Sequence, residues 1–240
     1  VGIWFTTALA SPRAISVLIH QFVWGWAAEW VLFIVEVTAI YLYFYTWGRI
    51  EPRAHNRIGW VFAVASVLTL VIINGILSFM LTPGSWQPLG SAAFWKGIFN
   101  PGYLPTTLIR ILVSLALAGA GAIALAAFAK GVTAPARERA VALGYKMILP
   151  SALCVPLGAW AFAALPERAQ EFLTGGAPIM MLFLAFGLAS FAVLMLSAWL
   201  SMLRRDYAAS TQGACLLCLL AFVSFGSFEF VREGVRKPFI

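Results

Sequence analysis

The sequence predicts an all-α, polytopic transmembrane helix bundle of about six full spans, preceded by a partial N-terminal span. Of the 240 residues, 62% are hydrophobic and 10% are charged, and the mean hydropathy is +0.91. A soluble domain carries roughly a quarter charged residues. Apolar runs of about 20 residues, long enough to cross a bilayer as a helix, recur along the chain. The basic residues, which give a net charge of +7, lie between these runs and form no patch of the kind that binds nucleic acid, so nucleic acid is excluded as a partner.

The spans follow from the apolar runs in order. The partial span VGIWFTTALA ends near Ala10, and because it opens on Val1 we expect the sequence to be a fragment that lacks an upstream helix. The connections SPRAISV and GRIEPRAHNR and the polar loop 82–103 separate the first full spans. We expect one transmembrane domain over residues 1–240, with full spans near residues 19–47, 58–81, 105–130, 139–164, 178–203 and 211–231.

Prolines mark two kinds of position in these spans. Pro105 and Pro178 fall in first turns, where a missing N–H group costs nothing, while Pro150 and Pro156 are expected to bend the span 139–164. The Arg- and Lys-bearing connections near residues 49–57, 130–139 and 204–205 lie on one side, which the positive-inside rule makes cytoplasmic. The charged ending REGVRKPFI falls on the outer side against this rule, so we expect its charges to have a specific role.

Two acids lie inside the first full span. Glu29 and Glu36 are seven residues apart and therefore lie within about 20° of each other on one helix face. An ionisable residue in hydrocarbon is costly unless it is paired or faces a polar cavity. The pair predicts a proton path or a face that lines a cofactor; the alternative is two acids hydrogen-bonded to neighbouring helices.

Histidine occurs twice. His20, at the outer end of the same span, is a candidate ligand of haem iron or proton relay, with an interfacial histidine as the alternative. His55 lies in the predicted cytoplasmic connection, where a solvated loop residue is the favoured interpretation. A bilayer of about 30 Å separates the two, so they do not ligate one haem together.

Other candidates lie at the outer ends of later spans. Arg110 can pair with a haem propionate or an acid, or it can snorkel to the interface. Met181 offers a thioether, although core packing is the favoured interpretation. Glu229, Arg232, Glu233 and Arg236 form a stripe at i, i+3, i+4 and i+7, which an ion-pair ladder explains equally well. Because His20, Arg110, Met181 and Glu229 all fall on the outer side, we expect them to contribute to one site.

The cysteine pair in CLLC, Cys215 and Cys218, lies inside an apolar run. No histidine follows it, so it is not a haem c attachment motif. Buried core thiols are the favoured interpretation, and a redox or metal role is the alternative.

The segment AEWVLFIVEVTAIYLYFYTWGRIEPRAH resembles the core of subunit I of cytochrome bd quinol oxidases. In that family an acid, a second acid, an aromatic run ending in a W-x-R-like motif and a histidine occur in this order. Glu29, Glu36, Trp47, Arg49 and His55 take those places, with one residue fewer between the acids. INGILSFMLTPGSW and FEFVREGVRKPFI are similar to the family's following helix and to its ending.

The resemblance implies haem b, and it also shows where this chain departs from the family. Arg110 stands where the family has one axial histidine, Phe183 with Met181 nearby stands where it has the axial methionine, and Glu229 is the nearest counterpart of its glutamate ligand. The quinol-binding loop is reduced to ALPERAQEFLTGG. With these departures the chain resembles a divergent branch of the family, in which the membrane core is coupled or fused to c-type cytochrome.

The sequence and the resemblance together indicate a haem b-binding subunit of a respiratory complex in the bacterial inner (cytoplasmic) membrane. It would relay electrons between membrane haem or quinol and periplasmic c-type cytochrome, among lipid and other membrane subunits, with oxygen reduction as a further candidate activity. His20 would bind haem iron opposite a ligand from outside the chain. Glu29 and Glu36 would deliver protons or lie beside the haem, and Arg110 and Arg232 would neutralise propionates. A haem-free scaffold for cytochrome c partners and a proton-coupled transporter are the alternatives.

Overall fold

The computed structural model describes residues 9, 12–84, 86, 93–204 and 210–236, without the side chains of Ala14 and Arg236. The predicted partial span over residues 1–10, apart from Leu9, lies outside the described residues, as do Arg205 and Lys237. Within the described ranges the regular structure is entirely helical. The all-α prediction is therefore confirmed.

Ten α-helices follow one another along the described chain. They are α1 (Pro12–Gln21), α2 (Val23–Tyr45), α3 (Pro52–Phe79), α4 (Ala93–Ile98), α5 (Tyr103–Phe128), α6 (Ala134–Ile148), α7 (Cys154–Ala163), α8 (Glu167–Glu171), α9 (Pro178–Arg204) and α10 (Thr211–Arg236). Six stretches are long and apolar enough to cross a membrane: α2, α3, α5, α6 continued through α7, α9, and α10 as far as Val235. The prediction of six full spans is confirmed, and the chain is a multi-pass membrane protein.

The first predicted span, 19–47, is wrong as a single helix. Phe22 leaves the helical conformation, with φ −118° and ψ 32°, and separates α1 from α2. Its ring is fully buried and packs edge-on against Phe79, with 5.0 Å between ring centroids, and against Phe94 at 6.1 Å. Tertiary packing of one aromatic ring thus accompanies the break, and most of the predicted connection SPRAISV is the helix α1.

The connection GRIEPRAHNR is also shorter than predicted. Pro52 begins α3, so His55 and Arg57 lie in helix rather than in a loop. Proline favours the first helical turn because its fixed φ suits the helix and its missing N–H group would have no partner there. The remaining turn reverses the chain at Gly48, whose φ of +68° is readily adopted by glycine.

The prolines of the span 139–164 act differently from each other. Pro150 lies in a 3₁₀ turn, Leu149–Leu153, that interrupts the span between α6 and α7, because proline cannot donate the hydrogen bond that an α-helix needs there. Pro156 lies in the first turn of α7, where it is tolerated. The interruption agrees with the distortion predicted at Pro150.

Short helices lie within two of the predicted connections, and the last span is longer than predicted. The helix α4 lies within the predicted loop 82–103, and α8 with a π-helical turn, Phe172–Gly176, lies within ALPERAQEFLTGG. The helix α10 continues to Arg236, five residues beyond the predicted end of its span. Arg232 and Glu233 are therefore helical.

The described residues divide into two compact units, one that runs as far as Thr107 and one that begins at Leu108. In the first unit α2 and α3 form an antiparallel hairpin, and Phe22, Ile76 and Ile98 form a small buried cluster. In the second unit a larger apolar core includes Ile123, Ile148 and Leu194.

Candidate functional site

One narrow stripe of α2 faces the rest of the protein, and all the remaining residues of this helix are exposed. The stripe consists of Gly25, Trp26, Glu29, Leu32, Glu36, Ala39 and Tyr43. After Trp26 the spacing alternates between three and four residues, which keeps one face of a helix against its neighbour. The extensive contact of α2 with α3 makes this stripe the seam of the hairpin. Both acids of the span therefore lie in the seam, half-buried, on the shared face that their spacing predicts.

Glu36 is held from the opposite helix. The hydroxyl of Ser66, on α3, donates to Oε1 of Glu36 at 2.7 Å. Hydrogen bonds that involve a charged group contribute about 1.5–3 kcal/mol. This pair matches the alternative interpretation of an acid hydrogen-bonded to a neighbouring helix, and it leaves the second carboxylate oxygen of Glu36 open.

Glu29 lies two turns away along the same seam in a different setting. It is half-buried, and the described residues offer it no hydrogen-bond partner. A carboxyl group in the apolar region of a span requires such a partner, from water, a cofactor or another subunit. The seam therefore contains one acid with a hydrogen-bond partner, Glu36, and one acid without such a partner among the described residues, Glu29.

His55 lies in an aromatic cage at the other end of the seam, so the solvated-loop interpretation is wrong. Its ring stacks on Tyr43, with centroids 4.1 Å apart, and meets the edge of Trp47 at 5.0 Å. Thr46 donates its hydroxyl proton to the carbonyl of Leu42 at 2.6 Å, so the Thr46 oxygen accepts from Nδ1–H of His55 at 3.3 Å. Nε2 then carries a lone pair, and it is buried without a hydrogen-bond partner among the described residues.

His20 lies near the end of α1, and its ring is exposed. Nδ1 is 2.7 Å from the carbonyl oxygen of Ser16, which can only accept, so Nδ1 carries the proton and Nε2 carries the lone pair. Metal-binding histidines commonly donate their other ring N–H to a backbone carbonyl in this way. The donor chemistry of His20 therefore fits an axial haem ligand. The 23 residues of α2 place His55 about 35 Å away along the helix, so the two histidines do not share one iron.

The predicted charged stripe on α10 forms an ion-pair cluster. Arg232 donates to Glu229 at 2.7–2.8 Å and to Glu233 at 2.9 Å. Nη2 of Arg110, near the start of α5, lies 4.0 Å from Glu229. The structure thus brings together three of the predicted site residues, Arg110, Glu229 and Arg232. With two guanidinium and two carboxylate groups the cluster is neutral, as the ladder interpretation expects.

Met181 lies apart from this pairing. Its residue surface is 43% exposed. The neighbouring Met180, rather than Met181, lies against Gly234 of α10, since a Cβ built on Gly234 would overlap the Met180 side chain. Phe183 packs against Phe230 with 4.1 Å between ring centroids. The start of α9 therefore meets α10 through Met180 and Phe183.

The cysteines differ from the buried thiols that the sequence favoured. Cys215 is exposed, so that interpretation is wrong for it, while Cys154 and Cys218 are half-buried. The thiol of Cys218 donates to the carbonyl of Ala120 at 3.6 Å. Within the described ranges, no group of three His, Cys, Asp or Glu residues is arranged to hold a metal ion.

A buried polar network that the sequence did not predict joins the end of α3 to the residues after α4 and to the start of α5. The amide nitrogen of Asn100 lies 2.9–3.2 Å from the hydroxyl of Ser78 and three backbone carbonyls, and its oxygen accepts from Thr82 at 2.9 Å. Asn74 lies 2.8 Å from Thr107, which ties α3 to the start of α5. Asn74 inside the apolar run INGILSF was a signal for this network. Asn100, in a connection, gave none.

A model of the family described as cytochrome bd terminal oxidase subunit I matches residues 21–165. The matched range contains Glu29, Glu36, His55 and Arg110. No curated protein and no solved structure matches the chain.

Proposed function

Because the chain belongs to the family of cytochrome bd terminal oxidase subunit I, we propose that it is a haem b-binding subunit of a respiratory electron-transfer complex. In this proposal it relays electrons between membrane haem or quinol and periplasmic c-type cytochrome in the bacterial inner membrane, with oxygen reduction as the terminal step. Family membership and six spans establish a membrane subunit of the oxidase type. The observation that supports the proposal is the pair of acids on the seam face of α2, of which Glu29 has no hydrogen-bond partner among the described residues.

His20 is proposed as an axial ligand. Its bond to the Ser16 carbonyl fixes the tautomer and presents the Nε2 lone pair on an exposed face. A second ligand would come from outside residues 1–240, because His55, the only other histidine, is about 35 Å away and caged. Haem b, when bound, supplies the one-electron redox centre.

Glu29 and Glu36 are proposed to move protons. Oxygen reduction to water consumes protons as well as electrons, and a span with two carboxyl groups on one face offers sites to hold them. Ser66 keeps one oxygen of Glu36 in place, while the second oxygen is open to take up and release a proton. Glu29 stands further along the same face with no bond to break.

Arg110 and Arg232 are proposed to neutralise haem propionates, with Glu229 and Met181 as further haem contacts. Arg232 is paired with Glu229 and Glu233. Arg110 lies close enough to Glu229 to share this cluster, so both guanidinium groups would be available at one place to hold the propionates of haem, when bound. Guanidinium groups suit this role because their planar donors match carboxylates.

The deciding experiment is a reduced-minus-oxidised difference spectrum of the complex purified from membranes. We expect a haem b α-band that His20→Ala removes or shifts and that His55→Ala, the control at the other end of α2, leaves in place. A complex that assembles without any haem b signal would overturn the proposal in favour of a haem-free scaffold. If haem is present but neither quinol nor reduced cytochrome c exchanges electrons with it, the relay is refuted.

The proton role has its own test. Glu36→Gln is expected to lower oxygen consumption by about 100-fold, the effect typical of losing an acid–base group, while the haem spectrum is unchanged. Glu138→Gln, an exposed carboxyl group on α6, is the matched control and should leave the rate unchanged. Equal rates for Glu36→Gln and wild type would rule out Glu36 as a proton carrier.

A further inference from the structure

A groove of about 370 Å³ runs along the α2–α3 hairpin beside the seam. From α2 its wall reaches from Ile34 to Leu42, and from α3 it includes Ile58 and Val61. The volume falls within the range of about 300–1,000 Å³ that is usual for small-molecule sites. Eight residues of helix separate Ile34 from Leu42, so the groove is about 12 Å long, which suits an extended segment of hydrocarbon chain.

One end of this groove is marked by Arg57. Apart from Arg57 and the hydroxyl of Thr38, the lining side chains are aliphatic. The ring of Tyr43 stacks on His55, which lies two residues before Arg57. The same ring would lie 3.0 Å from a Cβ built on Gly59, which lies two residues after Arg57. These contacts put Arg57 level with Tyr43, at the mouth of the groove beyond Leu42.

The charge at the mouth is positive. Arg57 is exposed and has no hydrogen bond or ion pair within the described part of the chain. Arg49 lies on the connection that precedes α3, and Arg53 lies in the first turn of α3. Glu51 is the one acid between residues 46 and 57. This is the end of the hairpin that the distribution of basic residues predicts to be cytoplasmic. An apolar groove that ends at an unpaired guanidinium group matches a molecule with a hydrocarbon chain and an anionic head.

We propose that this groove binds one anionic phospholipid of that leaflet, with an acyl chain between α2 and α3 and its phosphate on Arg57. A neutral isoprenoid quinone would fill the apolar part but would gain nothing from the guanidinium group. A packed helix from another subunit would neutralise Arg57 only by bringing an acid to the same end of the groove. The site is independent of haem, so its test and the test of the proposed function can fail separately.

The test is native mass spectrometry of the delipidated complex, titrated with palmitoyl-oleoyl phosphatidylglycerol or with the phosphatidylcholine that carries the same chains. Arg57→Gln is expected to weaken phosphatidylglycerol binding by about tenfold or more, since a direct hydrogen bond to a charged group contributes about 1.5–3 kcal/mol. Arg53→Gln removes the same charge one turn away, from an exposed residue outside the groove, and should change binding less than twofold. Val61→Trp fills the groove and should weaken binding of both lipids.

Three results would overturn the proposal. Equal losses for Arg53→Gln and Arg57→Gln would mean diffuse attraction rather than a site. Equal affinity of the wild type for the two lipids would mean that Arg57 does not read the headgroup. Displacement of phosphatidylglycerol by ubiquinone, with affinity for the quinone unchanged in Arg57→Gln, would assign the groove to a neutral ligand.

Discussion

The crossing of α5 and α6 provides a strict test of the packing, through the substitution Gly119→Ala. A Cβ built on Gly119 would lie 2.5 Å from the carbonyl oxygen of Gly144, 3.0 Å from Cβ of Met147 and 3.1 Å from Cγ1 of Ile148. The first of these atoms is backbone and cannot rotate away, so the two helices would have to separate. Close approach through glycine is a usual device of membrane helix pairs, because there packing rather than hydrophobic burial drives association.

The magnitude follows from two opposing terms. Alanine favours helix over glycine by about 1 kcal/mol, and overpacking of a close contact costs about 1–3 kcal/mol. Gly121 lies on the same helix, and a Cβ built on it would have no atom within 4 Å among the described residues, apart from its chain neighbours and the backbone of its own helix. Gly121→Ala therefore gains the propensity term without the clash. The free energy of unfolding of Gly119→Ala should be lower than that of Gly121→Ala by about 1–3 kcal/mol.

The measurement is unfolding by sodium dodecyl sulfate in mixed micelles, followed by far-UV circular dichroism and tryptophan fluorescence. Gly119→Ala should unfold at a lower detergent fraction than the wild type, and Gly121→Ala at the same or a higher fraction. If Gly119→Ala were as stable as Gly121→Ala, the backbone contact between α5 and α6 would be refuted.

Three further substitutions test other parts of the structure. Asn100→Ala should lower the free energy of unfolding by about 2–3 kcal/mol because it leaves buried polar groups without partners. The control Asn56→Ala, at an exposed position of α3, should change it by less than about 0.5 kcal/mol. Thermal unfolding measures both. His55→Ala should make trypsin cleave after the exposed Arg49 faster than His55→Phe does, because phenylalanine preserves the ring stack; equal cleavage would argue against the cage. Arg232→Gln should cost less than about 1 kcal/mol, and added salt should remove the difference from wild type, since the cluster is partly exposed; a salt-independent loss would contradict this account.

The spans could be predicted from the sequence because the length and hydropathy of each run are local properties. The boundaries were harder to predict where a side chain acts through tertiary contacts. Nothing near Phe22 in sequence signals a break, which accompanies burial of its ring against Phe79 and Phe94. Pro52 falls in a predicted connection, although proline equally favours a first helical turn, and the prediction therefore places His55 outside the helix in which it lies.

The features of the candidate site also fall into two groups, those that follow from local sequence and those that depend on tertiary contacts. The shared face of Glu29 and Glu36 follows from helical periodicity alone, so the sequence sufficed. The contact of Arg110 with Glu229 joins residues far apart in sequence, and the sequence indicated only that both lie at outer helix ends. The cage of His55 depends on Tyr43 reaching back across the hairpin, which no local pattern reveals. For Asn100 the decisive fact is burial, and an asparagine in a connection is normally expected in water.

The spacing of the two seam acids also sets how charge could pass between them. Seven residues of continuous helix separate the α-carbons of Glu29 and Glu36 by about 10 Å along the axis. Direct proton transfer needs donor and acceptor within about 3 Å. Because Leu32 is the seam residue between the two acids, the proposed proton path would need ordered water to connect them. In that proposal the rate of proton movement would depend on the water occupancy of the seam. A bulkier residue at position 32 would exclude that water and slow the movement of protons.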